Sequence, residues 1–547
     1  LIMKIIYITF LFLVTFNFIC CYDDKGNYEY KQINDIEISF PDYNFEQVIG
    51  ETFKLYPKFT YKYKDTANLN LSYKWAIGER VIGENRQLVW QVDTNEQVEI
   101  ALYVTNIDDN MVYMGSTIVR PTSIYTWYNS YLVLSEKNGK SILSFVRYDE
   151  KENASGETIY DEFDRPVLVN QVYEDIYYNE NKDELGSKPL FIQEHIAKIF
   201  PSEGHVIVFQ EGGQGSVDLD GTSMKKDILL VESFSKGSYP ADFHPTNAEM
   251  MTYTHLIENH DGKIYSKIKE SYKLFQSGYY IHTPLMFENK EIRAHIINSV
   301  LANDKPYTLL HSIGTTENPE NRLLLVHDLQ YSFTDVNVSG KVVALPEPTK
   351  GWPENFRPLT DLGNCQVINI SQYNTGNTKK PGYTMFLKNS DGSYQYQAFE
   401  LEREYSGEKL SYPKKTIAGK EQEMLISFPI TSPIPLEECV FCNIASRQNE
   451  YIFIAYGKDI YFLDRTSPEN GIRHYYTCKA NVVDMDGREY YGEQLFVGLD
   501  NGGVLLLNSN NAKNITTNAE KFRWESGPEV DLGKIVDVTL KVGGNVP

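Results

Sequence analysis

The sequence predicts an all-β protein in two parts, a small β-sandwich followed by a larger β-propeller. Three observations carry that prediction. Apolar residues alternate with period two, which places each set on one face of a sheet. Turn residues break the alternation at short intervals. Aromatic residues are abundant, with 40 Tyr and 27 Phe in 547 residues, and flat rings suit a pleated, half-buried surface. Length alone suits about three or four ordinary domains, but large all-β units exceed that size, so two or three serve equally. With 41% hydrophobic residues the chain can bury large cores. Its 52 basic and 74 acidic side chains leave a net charge of −22, which repels phosphate backbones and argues against a nucleic-acid partner.

The first element is a leader. Met3-Lys4 opens it, with Leu1-Ile2 read as preceding the true start, and Ile5 to Ile19 is apolar apart from Thr9, Thr15 and Asn17. A helix of that length spans roughly 22 Å, short of a hydrocarbon core of about 30 Å, so residues 1–20 read as a signal peptide. Phe18-Ile19-Cys20-Cys21 follows. A lipoprotein signal needs a cysteine preceded by a small residue. Cys21 has Cys20 before it, whereas Cys20 has bulky Ile19, so Cys21 is the expected lipidation site. Phe18 departs from the usual leucine, and an ordinary secretory signal is the alternative. Residues 21–34 form the tether, and durable anchoring needs more than one acyl chain. Asp23 and Asp24 directly after the cysteine resemble the surface-export signal of Bacteroidota lipoproteins. The stretch CYDDKGNYEY, Cys21 to Tyr30, resembles the start of PKD-like lipoproteins found beside SusC/SusD-type outer-membrane importers.

Residues 35–121 form the sandwich. Ile36, Ile38 and Phe40 alternate, as do Leu71, Tyr73 and Trp75, and Val98, Ile100, Leu102 and Val104. Gly50, Asp65-Thr66, Gly78, Gly83-Glu84-Asn85 and Asp108-Asp109-Asn110 mark turns. About 85 residues is the size of such a module. Trp75 ends its run where a sandwich places one large ring between its sheets, and Tyr73-Lys74-Trp75 resembles the Y-x-W of PKD and other immunoglobulin-like domains. No cysteine pair accompanies it. Such a module most often serves as a spacer.

Residues 122–547 form the propeller. Tyr131–Ser135 and Ile142–Val146 flank Asn138-Gly139, a type I′ hairpin signal. Related hairpins flank Asp261-Gly262, Asp391-Gly392, Gly457-Lys458-Asp459 and Asn501-Gly502. Two weaker members pair Val206–Phe209 with Ile228–Val231 across an insertion, and Leu309–His311 with Leu323–His327. The turns fall near 139, 213, 262, 319, 392, 458 and 502, spacings that accommodate four-stranded blades of at least about forty residues. Seven blades follow by count, with six or eight left open by the weak repeat. Ile535–Leu540 alternates and is expected to close the ring on the first blade, removing exposed edges. A pair of irregular sandwiches is the competing architecture.

Chemistry is sparse. HExxH, G-x-S-x-G, G-x-x-x-x-G-K and a strand-borne G-x-G-x-x-G are all lacking, and no catalytic residue, metal ligand or cofactor is assigned. In Cys439-Val440-Phe441-Cys442 the thiols are three residues apart, on opposite faces of a strand. They read as buried free thiols, with a disulfide among Cys365, Cys439, Cys442 and Cys478 as runner-up. His244, His255 and His260 are read as unrelated. Asp218-Leu219-Asp220-Gly221 and Asp484-Met485-Asp486-Gly487 begin like calcium loops, but position 12 is Leu229 in one and Leu495 in the other, so they read as polar turns. Trp352, in Lys350-Gly351-Trp352-Pro353, is the one ligand-contact candidate, for a sugar ring or peptide side chain, against its reading as a buried loop anchor.

The resemblance implies a non-enzymatic accessory or binding component of a SusCD-type nutrient uptake system, lipid-anchored in the outer membrane, exposed on the cell surface and handling peptide or glycan. The alternative is a propeller-based glycoside hydrolase or lyase using carboxylates gathered from separate blades. A third reading is a purely structural partner of the importer that binds no nutrient.

Overall fold

The computed structural model describes residues 35–541, apart from 64–68, 95, 127–129, 154–156, 197–203, 236–238, 270–276, 300–306, 329–339, 378–379, 404–408, 418, 445–449 and 488–493. Cys21, Asp23 and Asp24 lie outside the described residues. The chain forms two compact units that divide after Thr122.

The first unit is built of strands Ile36–Ser39 (β1), Asn44–Val48 (β2), Thr52–Leu55 (β3), Lys58–Tyr61 (β4), Leu71–Ile77 (β5), Arg80–Gly83 (β6), Leu88–Gln91 (β7), Val98–Asn106 (β8) and Met111–Thr122 (β9). A five-stranded sheet has the order β2-β9-β8-β5-β6, and the pairs β1-β4 and β3-β7 complete the unit. β2 runs parallel to β9 while the other ladders are antiparallel. The alternation in β8 sends Ile100, Leu102 and Val104 into a core shared with Phe53, Leu55, Leu88 and Trp90. Trp75 is completely buried there. Its indole N–H donates to the Asn85 carbonyl at 2.9 Å, which satisfies the one polar atom of the ring. Gly115 faces β1 so closely that a Cβ would lie 2.8 Å from Ile38 Cγ2.

Among the described residues the second unit contains seven successive antiparallel sheets of three or four strands, called I to VII here, beside three two-stranded ones. Sheet I comprises Ser130–Lys137, Lys140–Glu150, Leu168–Tyr173 and, from the far end of the chain, Lys534–Leu540. That last strand pairs along Ser130–Lys137, with Tyr131 opposite Leu540, and is the closing strand expected from its alternation. The innermost strands of sheets II to VII are Ser187–Ile196, Pro245–Met250, Ala294–Ile297, Gln366–Tyr373, Val440–Asn443 and Val482–Asp486. Sheet III has three strands, and residues 281 and 285 donate backbone hydrogen bonds to its open edge at Ser266 and Ile264.

The packing forms a circuit. Seven sheets in an open row would share six interfaces, but seven separate apolar clusters fill the spaces between neighbours. The additional one joins sheet VII to sheet I, where Tyr131 stacks on Phe496 at 4.2 Å. The innermost strands also neighbour one another in succession and return to Lys534–Leu540. The arrangement is propeller-like. Because each sheet is covered on both faces, its middle strands are buried throughout, as in Gln494–Leu499, rather than on alternate residues.

Two expectations need correction. The partner of Val206–Phe209 is Val217–Asp220; residues 226–229 come fourth, and Leu230–Ser233 is a 3₁₀ turn. Asp218, Asp484 and Asp486 lie on strands, not turns. Asp220 ends its strand and braces the turn that follows, its carboxylate accepting the N–H groups of Thr222 and Ser223. The Asn138-Gly139 hairpin has positive φ at both residues, 55° and 75°, as a type I′ turn requires. At the Asp-Gly and Asn-Gly turns at 261, 391 and 501 only the glycine does.

Candidate functional site

Innermost strands of neighbouring sheets diverge and share no ladder, so their N–H groups need other acceptors. Buried carboxylates supply them. Asp484 of sheet VII accepts from Val538 N–H at 3.0 Å, and Asp486 accepts from Leu540 N–H at 2.7 Å and the Thr539 hydroxyl at 3.1 Å. Asp537 accepts from Ile192 N–H across to sheet II. Glu249 and Glu258 of sheet III accept from Ser299 and Ile296 of sheet IV, each at 2.8 Å. Burial raises the pKa of Asp484, Asp486 and Asp537. Asp486 is pushed up to about 6, and Asp537 stands well above the carboxylate range through burial and the charge of Asp484, to which it is hydrogen-bonded. These side chains are structural staples between sheets.

Sheet II carries a different arrangement. Its strands Gly204–Gly212, Val217–Asp220 and Lys226–Leu229 are consecutive. His205 stands opposite Asp220, so Asp218, two residues earlier, is its diagonal neighbour on the same face. The ladder slips after Asp218: Asp218 pairs with Ile228 and Leu219 with Lys226, which leaves Asp227 as the extra residue of a bulge. Bulges re-aim side chains, and this one turns Asp227 back toward His205. The His205 Nδ1 lies 3.0 Å from Asp218 Oδ1 and 3.9 Å from Asp227 Oδ2. His205 and Asp218 are buried, while the Asp227 side chain is 41% exposed.

Charged neighbours surround the trio. His195 pairs directly with His205 on the adjacent strand, and His255 pairs with Lys267 in sheet III. Burial pushes the His255 imidazole well below its ordinary range, with Lys267, Lys269, His195 and His205 adding to the effect. Burial likewise pulls Lys267 down to about 8, against the attraction of Asp218, and its ammonium sits 5.0 Å over the Tyr280 ring. For His205 burial works downward, but the charge and hydrogen bond of Asp218, with Asp227 and Asp220 behind them, leave it raised. Asp218 itself is raised by burial, offset only in part by His205.

The other sequence candidates are dispersed. His244 and His260 sit near each other around Asp242, apart from the buried His255. Trp352 is half-buried, stacked on Phe356 at 5.6 Å and edge-on to Tyr412 at 5.8 Å, so its ring anchors the loop with only part of its surface left to meet a ligand. Cys365, Cys439, Cys442 and Cys478 are free thiols. Cys439 and Cys442 face different apolar clusters, and burial pushes Cys439 and Cys478 up to about 12. A cavity of 390 Å³ lies at the outer edges of sheets I and VII, beside Asp161, Phe163, Arg165, Phe522 and Arg523. Its guanidinium groups are engaged, Arg165 with Asp161 and the Glu520 carbonyl and Arg523 with the Pro166 carbonyl. Sequence reasoning did not single out His205, Asp227 or Lys267, because no spacing rule joins residues brought together by a diagonal pairing and a bulge. Among the described residues no helix is long and apolar enough to cross a membrane.

Among solved structures, a quinonprotein alcohol dehydrogenase-like protein from Bacteroides thetaiotaomicron is 11% identical. The match covers 92% of this chain and 97% of that one, with a TM-score of 0.36. Prp20p from Saccharomyces cerevisiae is 9% identical over 75% of this chain and 88% of its own, with a TM-score of 0.32. The fold rests on the strand pairing above. No curated protein matches the chain significantly. Residues 21–189 match the PKD-like family, so the sandwich and the beginning of the second unit carry a PKD-like family domain.

Proposed function

We propose that this protein is a cell-surface lipoprotein, anchored in the outer membrane through Cys21 and serving as a non-enzymatic accessory or binding component of a SusCD-type importer of peptides or glycans. The observation that carries this reading is the CYDDKGNYEY stretch at residues 21–30, with the PKD-like match beginning at the same cysteine. In this reading Asp23 and Asp24 direct export, the sandwich is a spacer, and the second unit is a seven-bladed propeller. The seven sheets, the seven clusters between them and the strand contributed from the far end of the chain support the blade count. The exposed part of Trp352 is the proposed ligand contact.

An enzymatic alternative would draw on carboxylates gathered from separate blades. Asp484, Asp486 and Asp537 are so gathered, but they are buried and spend their oxygens on backbone N–H groups, which favours the non-enzymatic reading. The test is protease treatment of intact cells expressing the native chain or Cys21→Ala, followed by affinity capture. The native protein is expected in the membrane fraction, cleaved from outside and captured with a SusC/SusD-type pair, while Cys21→Ala is released. Protection from external protease under conditions that leave periplasmic controls intact, or membrane retention of Cys21→Ala, would overturn the proposal.

A further inference from the structure

We propose that His205, Asp218 and Asp227 form a binding site for one divalent transition-metal ion of the zinc class. The trio is the group among the described residues whose His, Cys, Asp or Glu donor atoms converge, all within 4.8 Å of one another. Zinc takes imidazole nitrogen and carboxylate oxygen at about 2.0–2.2 Å, so two donors of a tetrahedral ion stand about 3.4 Å apart. The distances from His205 Nδ1, 3.0 and 3.9 Å, bracket that spacing. Small rotations of two carboxylates would complete it.

The donor set selects the ion. One imidazole and two carboxylates suit zinc or a neighbouring first-row metal, whereas calcium takes six to eight oxygens and magnesium keeps an octahedral shell of oxygen. The absence of thiolate from the trio disfavours copper(I). Three protein donors leave a fourth position for water or a ligand, the pattern of open rather than closed zinc sites. Access runs past Asp227, the exposed member, while His205 and Asp218 are held by sheet pairing on consecutive strands. Such rigid placement is what a site on strands provides and a loop does not.

In the metal-free protein His205 Nδ1 and Asp218 Oδ1 share a hydrogen bond at 3.0 Å. Zinc takes that nitrogen's lone pair, so the hydrogen between the two groups is displaced as the metal–nitrogen bond forms. Lys267, whose ammonium interacts with Asp218, opposes the incoming charge and keeps the affinity below that of a site without a nearby cation.

The test is calorimetric titration of chelator-treated, full-length protein with ZnCl₂, with CaCl₂ and MgCl₂ in parallel. One zinc per chain and no saturable response to calcium or magnesium are expected. Asp227→Asn lies on the exposed side and preserves the fold; it should weaken zinc binding by more than about tenfold, and His205→Ala should abolish it. Absence of saturable zinc binding would overturn the proposal and leave the trio a buried ion pair. Zinc binding unchanged in both variants would overturn it equally, by placing the ion elsewhere.

Discussion

Asp486→Asn tests the carboxylate seam between sheets VII and I. Burial holds the Asp486 carboxyl at about 6, against an ordinary value of 3.8. A carboxyl raised in the folded state keeps its proton where the unfolded chain has already lost it. Its contribution is therefore fully present below about 4 and is lost as the pH rises through 6. The gap of about two pH units corresponds to roughly 3 kcal/mol against the folded protein at pH 7. Asparagine is neutral throughout and retains an acceptor for Leu540 N–H. The stability difference, variant minus native, should thus move by roughly 3 kcal/mol in favour of the variant between pH 4 and pH 7, whatever constant offset the amide introduces. Urea unfolding of both full-length proteins at four pH values measures it. A difference that stays flat to within about 0.5 kcal/mol across that range would show that Asp486 titrates normally, and the staple argument would fail.

Two further outcomes follow from the same packing. Lys541 and Glu194 form an almost completely buried ion pair at 2.7 Å, linking the end of the closing strand to sheet II; Lys541→Met should destabilise by about 3–5 kcal/mol because it strands a buried carboxylate, adding Glu194→Gln should recover part of the loss, and a single-variant effect below about 1 kcal/mol in urea unfolding would count against it. Cys365, Cys439, Cys442 and Cys478 should resist a thiol reagent at pH 8 in the native protein and react in denaturant, since burial raises all four thiols and the thiolate is the nucleophile; rapid native labelling of Cys442 would refute that.

Much of the fold was legible where local chemistry and tertiary role coincide. Val98 to Val104 alternates because β8 has one face on the core, and Asn138-Gly139 forms its tight turn because both residues accept positive φ. The expected hairpins of sheets I, IV, V, VI and VII became the middle of their sheets, since those strands carry the densest apolar runs, such as Leu323 to Val326. The innermost and outermost strands were far less visible. Val482–Asp486 carries two aspartates, which read as a turn in isolation but lie on a strand paired with Gln494–Leu499, their carboxylates accepting the N–H groups of Val538 and Leu540.

By itself, the sequence determined the all-β class, the sandwich with Trp75 at its centre, most of the hairpin series and the strand at Ile535–Leu540 that pairs with the first sheet, because period-two patterning and turn chemistry are local properties. The tertiary structure alone decided which side chains meet. His205 and Asp227 are twenty-two residues apart, and only the ladder slip after Asp218 brings them to 3.9 Å. A bulge is a property of two strands paired, and neither strand announces it alone.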